Sequence, residues 1–124
     1  MARQMSQREL YGFLEDRFEC ARACAECARV CALRMSTLDP DAGTECEQVR
    51  RTGIVCSEVC EATCRALTEG DEQDADILRI QLEWCRVICL NCAQAFGSRP
   101  ETEKGAASCR ACAAACTDFI AALA

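Results

Sequence analysis

Cysteine recurs along this chain at helical steps. Cys20, Cys24, Cys27 and Cys31 are spaced four, three, four. At roughly 100° per residue those four thiols fall within about 60° of one another on a helix. The pattern repeats three times. Cys56, Cys60 and Cys64 are spaced four and four, with Cys46 ten residues upstream of Cys56. Cys85, Cys89 and Cys92 are spaced four and three, and Cys109, Cys112 and Cys116 three and four. Each set covers an arc of about 60–80°. A chain with these stripes folds into helices whose thiol seams face a common interior.

The segment boundaries agree with four helices. Ser6 and Glu9 form an S-x-x-E capping box that opens a first helix running to about Thr37, with Gly12 marking a kink or break. Residues 38–43 read as a turn. Thr44 and Glu47 make a second capping box, for a helix ending near Glu69 with Gly70 at its C′ position. A third helix is expected from about Ala75 to Phe96, and a fourth, after Gly97, Ser98 and Pro100, from about Glu101 to Leu123. No cysteine falls in a predicted loop. The expected fold is all-α: an antiparallel up-down-up-down four-helix bundle with a cysteine-lined core, a single domain over 1–124.

Charged residues take the opposite side of the stripes: Arg22, Glu26 and Arg29 on the first helix, Glu58, Glu61 and Arg65 on the second. The stripes continue as ordinary hydrophobes at Leu10, Phe13, Leu67, Leu78, Leu82, Ile120 and Leu123. In an up-down-up-down bundle these gather at one end as an apolar plug. The other end collects Cys31, Met35, Cys46, Val49, Cys92, Phe96 and Cys109, a mouth that thiols approach more closely. Asp16, Arg17 and Arg34 read as a solvated or ion-paired rim.

A net charge of -6 argues against nucleic acid as a partner. No stretch has the length of a membrane span, and residues 1–8 lack an apolar secretory core, so the expected compartment is the cytoplasm, where thiols stay reduced. Catalysis is not expected: the chain has no histidine, and no thiol is paired with a general base.

Fourteen cysteines on four in-phase seams exceed what packing requires, since alanine or valine fills the same space without the risk of oxidation. Disulfides fit poorly, because thiols at i and i+4 have nearly parallel Cβ directions. Zinc knuckles sit on turns, and the bacterial iron–sulfur run C-x2-C-x2-C-x3-C-P is absent. Cu(I) suits the pattern best: it is soft, prefers thiolate, and accepts two or three sulfurs, so one helical turn can grip an ion. The metal-ligand candidates are all fourteen cysteines, with Met35 as a thioether beside the seam. An iron–sulfur electron-transfer protein and a disulfide-stapled helical domain stand as alternatives.

The four cysteine motifs, Cys20-x3-Cys24-x2-Cys27-x3-Cys31, Cys56-x3-Cys60-x3-Cys64, Cys85-x3-Cys89-x2-Cys92 and Cys109-x2-Cys112-x3-Cys116, resemble those of the bacterial copper storage proteins. The resemblance covers essentially the whole chain. It implies a bundle that stores many Cu(I) ions, a homotetramer, and the cytosolic rather than the exported type. The partners expected on this basis are copper ions and a copper chaperone or efflux system. Some members place histidine or several methionines at the mouth, whereas this chain offers Met35 alone. Charge balance sets the expected capacity. Two thiolates per Cu(I) leave a net negative charge at each buried site, while one Cu(I) per thiolate with bridging sulfurs leaves none. The expected capacity is therefore nearer one ion for each of the fourteen cysteines than half that number.

Overall fold

A computed structural model describes residues 6–38, 43–69, 74–97 and 99–123. Four α-helices follow one another: α1 Gln7–Thr37, α2 Thr44–Glu69, α3 Ala75–Gly97 and α4 Glu103–Ala122, with a 3-10 turn at Pro100–Thr102 ahead of α4. Around the ring, α1 packs on α2 and α4, and α3 packs on the same two helices, so α1 and α3 lie diagonally opposite. This is the expected all-α bundle with cysteines packed in its core.

Helix starts follow local chemistry. The Ser6 hydroxyl accepts the Glu9 N–H at 3.1 Å and caps α1, as the capping box predicts. At α2 the box is displaced. Thr44 is already helical, and Glu47 donates to the Gly43 carbonyl at 3.1 Å, with Gly43 at a φ of 108 that favours glycine. The Asp74 carboxylate takes the Asp76 N–H at 2.8 Å and starts α3. Residues 39–42 of the expected turn over 38–43, and Gly70 with its expected C′ role, lie outside the described residues.

α1 passes through Gly12 without the expected break into a short leading helix. That residue is solvent-exposed with open space where a Cβ would sit, so no packing demand bends the helix there. Two other glycines are required by close approach. A Cβ on Gly53 would collide with the Met35 thioether, and one on Gly105 would come within 2.5 and 2.7 Å of the Phe96 ring. Both contacts draw neighbouring elements together at the mouth end. There the fully buried Thr102 hydroxyl donates to the Phe96 carbonyl at 2.6 Å and ties the end of α3 to the start of α4.

The plug is present with a changed membership. Leu67, Leu78 and Leu82 are buried, and the Phe13 ring lies 5.3 Å from Phe119. Phe119 is the buried member of α4, while Ile120, Leu123 and Phe13 pack partly against the core and Leu10 is exposed. The rim arginines do more than pair with solvent. Arg17 of α1 donates from Nε to the Leu67 carbonyl at 2.6 Å, and Arg79 of α3 reaches the Leu123 carbonyl at 3.4 Å. Each cation supplies a donor where the last turn of a neighbouring helix has none of its own. The outward ion pairs Arg22–Glu19, Arg29–Glu26 and Arg65–Glu61 are exposed and screened by solvent, so they add little to stability.

The glycines yield a paired expectation. Gly105→Val forces the buried Phe96 ring out of place and destabilises the protein by about 1–3 kcal/mol. Gly12→Ala meets nothing and stabilises it by about 0.5–1 kcal/mol through helix propensity. Urea denaturation followed by circular dichroism measures both; equal effects of the two substitutions would contradict the packing described.

Candidate metal centre

The thiols meet along the bundle axis. Cys20, Cys24, Cys27 and Cys31 of α1, Cys46, Cys56 and Cys60 of α2, Cys85, Cys89 and Cys92 of α3, and Cys109, Cys112 and Cys116 of α4 are all buried. Helical phase explains why. Steps of four and three alternate around 3.6 residues per turn, so each helix keeps returning a thiol to the same interior line.

Cys64 is the exception, and it is half-buried. Two successive four-residue steps rotate by about 80°, which carries Cys64 off the line that Cys56 and Cys60 share. The interior place goes to Thr63, fully buried, which donates to the Val59 carbonyl at 2.8 Å and accepts from Gln81 at 2.9 Å. Sequence reading passed over Thr63, although it lies three residues after Cys60 and so continues the four-three alternation of the other helices. The thiol column on α2 therefore stops at Cys60, and the plug begins with Thr63 and Leu67.

Sulfur contacts cross between helices. Cys31 and Cys27 lie 3.6 and 3.7 Å from Cys109, and Cys56 lies 3.8 Å from Cys109. Cys60 lies 3.4 Å from Cys89 and 3.9 Å from Cys85, and Cys112 lies 3.6 Å from Cys24. None is a bonded pair, and every cysteine is a free thiol.

Ten of these cysteines form four quartets, each with its four sulfurs within 4.8 Å of one another. The first is Cys27, Cys31, Cys56 and Cys109; the second, Cys27, Cys56, Cys60 and Cys89. The third is Cys60, Cys85, Cys89 and Cys112, and the fourth Cys24, Cys85, Cys112 and Cys116. Each quartet shares two thiols with the next: Cys27 and Cys56, then Cys60 and Cys89, then Cys85 and Cys112. The arrangement is a row of four-sulfur cages joined edge to edge. Cys20 extends the row beyond the fourth cage through Cys116 and Cys24, and Cys92 borders the first through Cys109 and Cys31.

Ionisation in this row is collective. Hydrogen bonding to neighbouring thiols, led by Cys112 for Cys24 and Cys60 and by Cys109 for Cys27, pushes those three thiols up, and burial adds to it. Interleaved with them the sign reverses: hydrogen bonding led by Cys109 pushes Cys56 down and hydrogen bonding led by Cys116 pushes Cys112 down, both in the middle of the row. Cys116 and Cys24 hold Cys20 down to about 5, and Cys109 and Cys27 hold Cys31 down to about 5. Such a row is a poor set of independent acids and a good set of shared ligands, because any thiolate that forms has further sulfurs within contact.

Met35 is buried at the mouth end with its sulfur against Gly53, and Cys46 is buried on the neighbouring stretch of α2. Cys46 belongs to none of the four quartets. Met35, Leu38, Cys46 and Val49 keep 4–8% exposure, whereas Leu67, Leu78 and Leu82 at the plug keep 0–2%. Phe96 at the mouth is fully buried and Phe13, Ile120 and Leu123 at the plug are partly buried, so both ends are closed by side chains. Among the described residues no helix is long and apolar enough to cross a membrane.

Solved structures share this overall fold. A cytosolic copper storage protein from Streptomyces lividans, described in the course of copper loading with five coppers, aligns with a TM-score of 0.81 at 26% identity, over 88% of this chain and 95% of that one. The same organism's protein loaded with 10 copper equivalents aligns at 0.61 and 27% identity, over 92% and 85%. Its H111A mutant aligns at 0.63 and 27%, over 97% and 98%. No curated protein matches. Residues 6–121 match the sequence profile described as "Csp: Copper storage protein", and with that profile spanning nearly the whole bundle, the chain belongs to the copper storage protein family.

Proposed function

We propose that this protein stores copper as Cu(I), held by thiolates shared between neighbouring cages along the bundle axis. The observation that carries this reading is the edge-to-edge sharing of the four quartets. In tetrahedral cages with metal–sulfur bonds of about 2.3 Å that share an edge, neighbouring centres lie only about 2.7 Å apart. Repulsion between divalent ions at that distance is fourfold that between monovalent ions, because it scales with the product of the charges. Thiolate softness points the same way. Multiple copper ions bound through core cysteines, without catalysis, is the function of the family.

The ligands in this proposal are the fourteen cysteines, with the ten quartet members at the centre of the store. Cys20 and Cys92 lengthen the row, and Cys46 and Met35 stand at the mouth, where a soft thioether receives an incoming ion without needing to lose a proton. Cys64 joins last, because it must turn inward to reach Cys60 one helical turn away. Ions move inward by exchange between sulfurs already in contact. The whole chain acts as one storage domain in a reducing compartment, the cytoplasm, exchanging metal with a copper chaperone or efflux system. It assembles as a homotetramer, as the resemblance implies.

Two outcomes test the reading. Anaerobic Cu(I) titration against a chelator of known affinity saturates closer to 14 ions per chain than to about half that, because only a near-equal count of Cu(I) and thiolate neutralises a poorly solvated core. Each bound ion releases about one proton, so uptake strengthens as pH rises; saturation at half the thiol count would exclude shared sulfurs. In the metal-free protein, an alkylating reagent modifies Cys64 ahead of the thirteen buried thiols, read by peptide mass spectrometry. First modification at Cys46 or Cys31 would show that the mouth opens more readily than the α2 edge.

A further inference from the structure

The seam between α1 and α4 carries opposite charge at its two ends. Toward the plug, its groove is lined by Asp16, Glu19 and Asp118 against a single cation, Arg22. Toward the mouth, a groove of about 430 Å³ is lined by Arg29, Arg34 and Lys104 against a single carboxylate, Glu26. That carboxylate is already engaged, because Arg29 takes both of its oxygens, at 2.7 and 3.2 Å. Glu103, which precedes Lys104, binds Arg110 at 3.1 Å. Among the described residues, Arg34 and Lys104 are therefore left without a carboxylate, on a chain whose net charge is -6.

Both cations are poorly placed for the chain alone. Arg34 sits on the last turn of α1 with its Cγ packed toward Gly105 of α4, and its Nε is buried without a hydrogen-bond acceptor. A guanidinium has donors only, so a buried one left unmatched is costly. Lys104 lies in the first turn of α4, where the helix dipole already places positive charge. Each arrangement becomes favourable once an oxyanion lies between the two cations. Ser108 also lines the groove and adds a hydroxyl donor.

We propose that this groove binds a compact oxyanion, the phosphate or carboxylate group of a small molecule, with Arg34 and Lys104 as its charged contacts and Ser108 as a neutral donor. The planar fork of an arginine suits two oxygens of one group, and the lysine adds a point charge. Val30, Arg34 and Ser108 directly precede Cys31, Met35 and Cys109, so the groove lies on the outer side of the first cage. The Cys31 and Cys109 sulfurs of that cage meet across the same seam at 3.6 Å. A bound anion bridges α1 and α4 there and stabilises the metal-free bundle by mass action. The site is separate from the thiol column and does not depend on copper storage.

The test uses the full chain, reduced and metal-free, titrated calorimetrically with inorganic phosphate and separately with citrate, while chloride holds the ionic strength constant. Saturable binding of at least one of the two is expected, with a rise in Tm that chloride does not produce. Binding of phosphate alone assigns the groove to phosphate groups, and binding of citrate alone assigns it to carboxylates. Lys104→Gln, at an exposed position, and Arg34→Gln each weaken binding by about tenfold or more. Arg34→Lys restores only part of the loss, because it returns the charge without the fork. Arg65→Gln, which removes an exposed cation on α2, leaves binding unchanged. Absence of saturable binding of either anion would overturn the site. So would binding that survives both groove substitutions, or a loss in Arg65→Gln as large as theirs. Cu(I) capacity stays at the wild-type value in every variant, so loss of anion binding is distinguishable from loss of storage.

Discussion

Sulfur-to-sulfur contact across helices, at 3.4–4.0 Å, is the condition on which the rest of this molecule depends. Thiols are weak hydrogen-bond partners and small hydrophobes, so they tolerate a dry interior without the penalty a hydroxyl or carboxylate would incur. They gain their second property only by proximity. A thiol alone in a core is inert, whereas one with two or three sulfurs in reach belongs to a ligand set that forms as soon as a soft ion arrives. The helices must therefore approach closely along their whole length. Alanines at 21, 93, 106 and 113 on the inner faces allow this, as does the absence of large aromatics between the plug and the mouth.

The two ends of the column are built differently for the same reason. At the plug, Leu67, Leu78, Leu82 and Phe119 fill the space that further thiols would occupy, and Thr63 satisfies its hydroxyl locally at the boundary. Arginines from α1 and α3 cap the final carbonyls of their neighbours and hold that end shut. At the mouth, closure relies on a flexible thioether packed on a glycine and on Phe96 held over Gly105. A methionine side chain has three rotatable bonds and changes rotamer at small cost. Both ends are thus closed by side chains, the mouth through a flexible thioether among them.

Much of this was legible from spacing. The alternation of three and four residues in α1, α3 and α4 specified helices and a shared interior line, because 3.6 residues per turn admits no other reading of so regular a pattern. The α2 stripe misled for the same reason. Four-and-four spacing drifts off the line, so Cys64 reached the edge while Thr63 turned inward, and a count of cysteines alone does not reveal the drift. At the end of α4 Ile120 packs partly against the core as expected, while Phe119 beside it is the fully buried member. The Arg17 cap was invisible, since it joins residues 50 apart in the chain.

By itself, the sequence determined the fold class, the four helices and the soft-metal chemistry. These all follow from periodicity within single helices, which is a local property. Tertiary structure alone decided which thiols share cages, that the cages join edge to edge through Cys27 and Cys56, Cys60 and Cys89, and Cys85 and Cys112, and that one thiol stands apart. It also decided which outward residues share one groove. Periodicity places a residue on a side of its own helix, but the rotation of each helix against its neighbours sets which sulfurs touch. That rotation is set by packing at positions such as Gly53 and Gly105, whose role emerges only when the helices meet.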